Sequence, residues 1–368
     1  MTIRLRNSLL LRPSDIVPSH VGWEVIGVLN PAVALQGDDV VMLARVAERF
    51  SETRPGQTAI PRWQCDGDVA VDWNDDGDLQ PIDARVVALR KTGALRLTSV
   101  SHLQVLRRSN KAQARWTSVV SILPETEFEE FGIEDPRITK IGDIFWVTYV
   151  AVSRHGACTA LMSSTDLVTF KRHGVIFSSE NKDVVLFPQT IDGDYLALHR
   201  PNPNSHFSPP SIWLARSPDL IHWGRHQTLM RGCNPWEGDR VGSGTPPILI
   251  ENGLSELGFG EAGWLILYHG SESSRLNGKI GRYAAGAVLL DRYDPLRVIA
   301  RTAEPIMTPR ADFELNGFVP NVVFPTALID LGETLQVYYG AADTCLAVAE
   351  FSKRAILGSM TSQIGQPL

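Results

Sequence analysis

Residues 142–152 read GDIFWVTYVAV, a glycine turn followed by a run of β-branched and aromatic side chains. That length and composition describe a strand entered from a tight turn. The same line recurs as GDDVVMLARVA from Gly37, GDYLALHRP from Gly193, GWLILYHGS from Gly263 and GETLQVYYGAA from Gly332, so five related strands are expected. A second repeat sits between them: SSTDLVTF (163–170) and RSPDLIHW (216–223) share S-x-D-L-x-x-aromatic at an offset of 53 residues. Spacings of about 40–50 residues with several short strands per unit are the mark of propeller blades.

The rest of the chain agrees with an all-β reading. Thirty glycines and 23 prolines punctuate it, and no long amphipathic helical pattern survives between them. No linker composition divides it, so residues 1–368 are expected to form a single domain, with ENGLSELGFGEAG (251–263) as an extended hairpin tip. A net charge of -6 supplies no basic field for nucleic acid or an anionic membrane, which leaves small molecules or neutral polymers as partners. The four cysteines, Cys65, Cys158, Cys233 and Cys345, are far apart and form neither a metal-ligand spacing nor a disulfide framework. The N-terminal apolar run is too short for a signal peptide, and no stretch reaches the roughly 20 apolar residues of a membrane span. A cytoplasmic protein without a metal site or bound cofactor is expected.

Candidate chemistry gathers at the ends of the repeated strands, which finish in Arg45, Tyr149, His199 with Arg200, His269, and Tyr338 with Tyr339. Converging at one mouth, these would build a polar, aromatic pocket. Within FGIEDPRIT (131–139), Glu134 and Asp135 point to opposite faces if the segment is extended, so only one is expected in a given pocket. Pro136 keeps Asp135 out of a helix, and Arg137, two positions on, would share its face and hold it ionised. In isolation an edge ion pair at a turn explains EDPR equally well.

Basic residues form a second group: Lys182 in ENKDVVLFP, Arg200 in LHRPNP, Arg240 in EGDRVGSGTPP and His269 in YHGS. Each lies in apolar or Gly/Pro-rich sequence, and convergent cations of this kind bind oxyanions. Acids form a third: Glu237 in NPWEGD, Glu272 after YHGS and Asp343 in YYGAADT. Paired carboxylates beside aromatic platforms such as Trp236 suit carbohydrate, one protonating the leaving oxygen and another activating water. Neither GxxxxGK[ST] nor GxGxxG is present, so nucleotide binding has no support.

Taken together, GVLNPAV, EEFGIEDPRIT, ENKDVVLFP, LHRP, IWLARSPDLIHWG, RVGSGTPPI, LILYHG, GFVPNVVFPTA and YYGAADT resemble glycoside hydrolase family 130, the β-mannoside phosphorylases and related inverting β-mannosidases. The resemblance runs from about Asn30 to Asp343 and implies a five-bladed β-propeller. It implies Asp135 as general acid, acting through a hydroxyl of the bound mannose, with Asp343, Asn30 and Arg45 holding the sugar. In the phosphorylases a cationic cluster binds inorganic phosphate, which attacks the anomeric carbon and releases mannose 1-phosphate with inversion. Lys182, Arg200, Arg240 and His269 fall on those motif positions, although Lys182 stands where several phosphorylases carry Arg and Arg240 where several carry Lys.

Phosphorolysis of a short manno-oligosaccharide or mannosyl-glycan, with inorganic phosphate as co-substrate, is therefore the leading expectation. The hydrolytic branch of the family gives a second, with Glu237 or Glu272 as base, and a non-catalytic sugar-binding propeller a third. The sequence leaves linkage, chain length and oligomeric state open.

Overall fold

The computed structural model describes residues 3–64, 68–83, 85–109, 115–202, 207–273 and 281–363, so Cys65 lies outside the described residues. Strand accounts for 58% of the chain and helix for 7%, in line with the all-β expectation. Antiparallel strands follow one another in chain order as five groups. The first holds Trp23–Gln36, Asp39–Phe50, Val100–Ser109 and Thr117–Ile122, and the second Gly132–Ile141, Ile144–Ser153, Gly156–Ser164 and Lys171–Phe177. These two share a sheet through one parallel pairing, Gly132 with Ser101. The third holds Asn181–Leu186, Tyr195–Pro201, Ile212–Ser217 and Gly224–Met230. In the fourth the first strand is split into Arg240–Ser243 and Ile248–Ile250, followed by Gly263–Ser271, Tyr283–Asp291 and Val298–Thr302. The fifth holds Val323–Asp330, Thr334–Ala341 and Cys345–Ser352, and its last place is taken by Arg4–Leu11 from the other end of the chain.

The five repeated stretches are the second strands of the five groups. Four of their glycines, Gly37, Gly142, Gly193 and Gly332, sit at φ between 59° and 88° in the preceding hairpin, where a Cβ would be strained. The S-x-D-L repeat is a turn after the third strand. Asp166 Oδ1 accepts from the amides of Val168 (2.9 Å) and Thr169 (2.7 Å), and Asp219 Oδ1 accepts from those of Ile221 (2.9 Å) and His222 (2.8 Å).

A further repeat joins distant segments. Glu129 Oε2 accepts from the amides of Glu125 and Thr126, while its Oε1 takes Tyr149 Oη (2.7 Å) and Arg172 Nη1 (2.9 Å). Glu237 does the same with the amides of Cys233 and Asn234, Tyr268 Oη (2.7 Å) and Arg301, and Glu314 with the amides of Arg310 and Ala311, Tyr339 Oη (2.6 Å) and Arg4. Each knot pins a short helical turn to the second and fourth strands of its group. All three carboxylates are at most 1% exposed, and they tolerate burial because each oxygen is hydrogen-bonded and a guanidinium balances the charge. In the third group His199, bonded to Asn181 (3.0 Å) and His226 (3.1 Å), takes the place of the Tyr–Arg pair.

These knots correct part of the expected mouth. Tyr149 and Tyr339 spend their hydroxyls on Glu129 and Glu314, and Tyr338 bonds Gln336 at 3.2 Å, so all three are core residues. Between the second and third strands of the first group lies an insertion, a hairpin of Gln57–Trp63 with Val69–Asp75 and a small sheet of Leu79–Pro81, Val86–Leu89 and Leu95–Leu97.

Candidate active site

The first strands, rather than the repeated second strands alone, position the chemistry. Register breaks between Leu29 and Ala32, between Glu134 and Arg137, and between Lys182 and Val185 in the first, second and third groups, and between Pro325 and Ala327 in the fifth. At the first three breaks stand Asn30 (φ 44°), Asp135 (φ 47°) and Asp183 (φ 57°), and Asp343 (φ 47°) occupies the turn after Thr334–Ala341. A bulge re-aims the side chains around it, and backbone held in the left-handed region concentrates at functional sites.

The bulge overturns the expectation that only one of Glu134 and Asp135 would enter the pocket. Arg45 bonds both, Nη2 to Glu134 Oε1 at 2.7 Å and Nη1 to Asp135 Oδ1 at 3.0 Å, and Asn30 Nδ2 adds a bond to Asp135 Oδ1 at 2.8 Å. Gly340 makes room for Asn30, since a Cβ there would lie 2.0 Å from Asn30 Oδ1. Arg137 turns away from the carboxylate. It donates to the main-chain carbonyls of Asp135 (2.8 Å), Pro136 (3.1 Å) and Gly244 (2.7 Å), and so fixes the bulge while its charge still reaches Asp135. Burial pushes the Asp135 carboxyl up, but Arg45, Arg137, Asn30 and Lys182 together hold it below the usual carboxylate range. Asp343 goes the other way: burial raises it, Arg85 and Arg45 oppose, and the Asp135 and Glu134 charges raise it further.

Asn30, Arg45, Glu134, Asp135 and Asp343 line a cavity of about 420 Å³. Lys182, Arg200 and Arg240 line the same cavity, as do Tyr283 and Phe324. Lys182 and Arg200 are register partners on adjacent strands. Arg200 donates to Asp183 Oδ2 (2.5 Å) and Asn202 Oδ1 (2.9 Å), and Arg240 to Asp239 Oδ2 (2.6 Å). Asp183 stays ionised, down to about 2, because burial is outweighed by the Arg200 and Arg137 guanidiniums. His269 is fully buried beside Asp183, with Nε2 3.5 Å from Asp183 Oδ2 and its ring 4.4 Å from that of Phe324. Burial, with the nearby arginines, lowers it to about 3 against the pull of Asp183, so the imidazole is neutral and is not among the cavity's lining residues. Gly242 is obligatory here, since a Cβ would meet Asp183 Oδ2 at 2.3 Å and His269 Cε1 at 2.5 Å.

Two acids fall elsewhere. Glu237 is consumed by its knot, and Glu272 pairs on the surface with Arg282 at 2.6 Å; neither lines the cavity. Sequence reasoning missed Glu134, Asp183, Asp83 and Arg85 as cavity residues. Asp183 is visible in ENKDVV, next to Lys182, whereas nothing in PIDARVV marks Arg85. Among the described residues no group of three or more His, Cys, Asp or Glu is placed to hold a metal, and no helix is long and apolar enough to cross a membrane.

The sequence profile of glycoside hydrolase family 130, described as beta-1,4-mannooligosaccharide phosphorylase, matches residues 82–362. A beta-1,2-mannobiose phosphorylase of Listeria innocua serovar 6a is 38% identical over 361 residues, 96% of this chain and 97% of that protein. A 1,2-beta-oligomannan phosphorylase of Thermoanaerobacter sp. is 39% identical over 229 residues, 61% of this chain and 70% of that protein. Among solved structures, the Listeria innocua beta-1,2-mannobiose phosphorylase in complex with beta-1,2-mannobiose superimposes with a TM-score of 0.85 at 37% identity, covering 95% of this chain and 96% of that one.

Proposed function

Because this chain belongs to glycoside hydrolase family 130, we propose that it is an inverting phosphorylase of short β-mannosides that releases α-mannose 1-phosphate. The observation that carries this reading is one cavity lined both by Asp135, held by Asn30 and Arg45, and by the cations Lys182, Arg200 and Arg240. Cations that can hold and orient an oxyanion in one cavity with a carboxyl group are what displacement by phosphate requires. The five groups of strands in chain order, the recurring first-strand bulge and the closure by Arg4–Leu11 support a five-bladed β-propeller around the cavity.

In the proposed step a phosphate oxygen attacks C1 of the mannosyl unit from the face opposite the leaving oxygen, and the C1–O bond breaks. The Asp135 proton passes through a hydroxyl of the bound mannose to that oxygen, and configuration at C1 inverts. A phosphate anion beside Lys182 offsets one of the charges that depress Asp135, so the co-substrate favours the protonated acid that the step needs. Hydrolysis has less support, because neither Glu237 nor Glu272 lines the cavity to activate water. The relative matched over nearly its whole length is named for beta-1,2-mannobiose, which makes the β-1,2 linkage the proposed one. Incubation with β-1,2- and β-1,4-mannobiose, with and without phosphate, tests the reading. Phosphate-dependent mannose 1-phosphate from the β-1,2 disaccharide is expected; free mannose at a phosphate-independent rate would overturn it.

A further inference from the structure

The third group of strands is built differently from its neighbours. In the second, fourth and fifth groups a helical turn before the first strand carries the knotted glutamate, whereas here only three residues separate Phe177 from Asn181, where the first strand begins. His199 and His226 stand in for the tyrosine and arginine, and they line a second cavity of about 400 Å³, within the roughly 300–1,000 Å³ of small-molecule sites. Asn181 Nδ2 donates to His199 Nδ1 (3.0 Å), which leaves the His199 proton on Nε2 for His226 Nδ1 (3.1 Å) and the His226 proton on Nε2, in an exposed side chain. Asn181 itself is 7% exposed, and its Oδ1 is buried with no hydrogen-bond partner among the described residues. A buried acceptor in this state costs free energy that a ligand hydroxyl would recover.

The walls of this cavity are aromatic. Phe177 stacks on His199 with ring centres 4.7 Å apart and on Trp223 at 5.5 Å, and Trp213 meets His199 at 6.5 Å. Trp223 Nε1 donates to the Leu220 carbonyl at 2.8 Å, so its indole is set before a ligand arrives. Both tryptophans stay partly exposed. Among the described residues no lysine, arginine, aspartate or glutamate lines the cavity, which favours a neutral ligand over phosphate. Rings for the C–H face of a pyranose, with an acceptor and a donor for its hydroxyls, suit a neutral sugar. Asn181 and His199 each precede a residue of the active-site cavity, Lys182 and Arg200, so the two cavities lie on opposite faces of one strand pair and share no lining residue.

We propose that this cavity is a second sugar-binding site, which takes one pyranosyl unit of a β-mannoside chain against Trp213 and Trp223, apart from the reacting bond. The choice of mannose rests on the phosphorylase reading, and the test separates the two. Protein labelled with fluorotryptophan is titrated with β-1,2-mannotriose in the absence of phosphate and followed by fluorine NMR, with Trp213→Phe and Trp223→Phe assigning the two signals. Both signals should move saturably, and Asn181→Ala and His226→Ala should each weaken that binding roughly fivefold, the worth of one hydrogen bond. Asp343→Gly removes a carboxylate from the active-site cavity without straining the left-handed backbone at that position, and it should leave the movement and its midpoint in place. Stationary signals, unchanged affinity in both Asn181→Ala and His226→Ala, or movement lost with Asp343→Gly would overturn the proposal. Should wild type make no mannose 1-phosphate, the phosphorylase reading is what fails, and the same titration still decides the second site.

Discussion

Asp135 is held by neighbours that keep its charge, yet the proposed step asks it to give up a proton. Asp135→Asn keeps the shape and the Asn30 contact but removes the acid, so kcat should fall on the order of 10²–10⁴-fold while phosphate still binds. The pH profile gives a finer check. Arg45, Arg137 and Lys182 hold the carboxyl low, and bound phosphate weakens that hold. The alkaline limb of kcat, which reports the loaded enzyme, should therefore lie at higher pH than that of kcat/KM, which reports the free one; coincident limbs would contradict this coupling. The residues around Asp135 were legible as motifs, but their directions were not. Strict alternation admitted only one of Glu134 and Asp135, and only the break in register between Glu134 and Arg137 brings both acids onto Arg45. His269 was legible as a basic residue near the cavity, but not its burial, which leaves the imidazole neutral.

Among the elements, the hairpins could be read from the sequence because their signal is local: a glycine, an aspartate two or three residues from the amides it caps, a β-branched run. The Glu–Tyr–Arg knots could not, because each joins three segments whose spacing differs from group to group, and the arginine of the fifth comes from residue 4. Glu237 shows the consequence, since a carboxylate beside a tryptophan reads as a catalytic candidate until its partners are known. Glu237→Gln should destabilise the fold by about 3–5 kcal/mol, because it strands Arg301 in a buried site. Glu272→Gln, at a half-exposed pair, should change stability by less than about 1 kcal/mol. Denaturant unfolding of the two variants checks the contrast, and equal effects would remove the knot's structural role.

At the scale of the whole molecule, three buried imidazoles among the described residues weaken the fold in acid. Burial lowers His102 to about 4, and His199 and His269 to about 3. In the unfolded chain each takes a proton near pH 6.5, so the stability these groups contribute is full above that value and is lost as pH falls toward 3–4. The expected slope is about 1.4 kcal/mol per pH unit for each histidine, and His199→Gln should flatten the fall in Tm between pH 7 and 5; an unchanged slope would contradict this. The all-β class and the five repeats were legible from end to end, whereas the N-terminal closure of the fifth group and the insertion that brings Arg85 to the cavity were not, since both depend on pairings between distant segments. The central claim is that phosphate attacks the anomeric carbon opposite Asp135, and the most direct test is a phosphorus NMR time course of wild type with β-1,2-mannobiose and inorganic phosphate. The first sugar phosphate to appear should be α-mannose 1-phosphate, absent with Asp135→Asn. Initial formation of the β anomer, or release of mannose without consumption of phosphate, would contradict it.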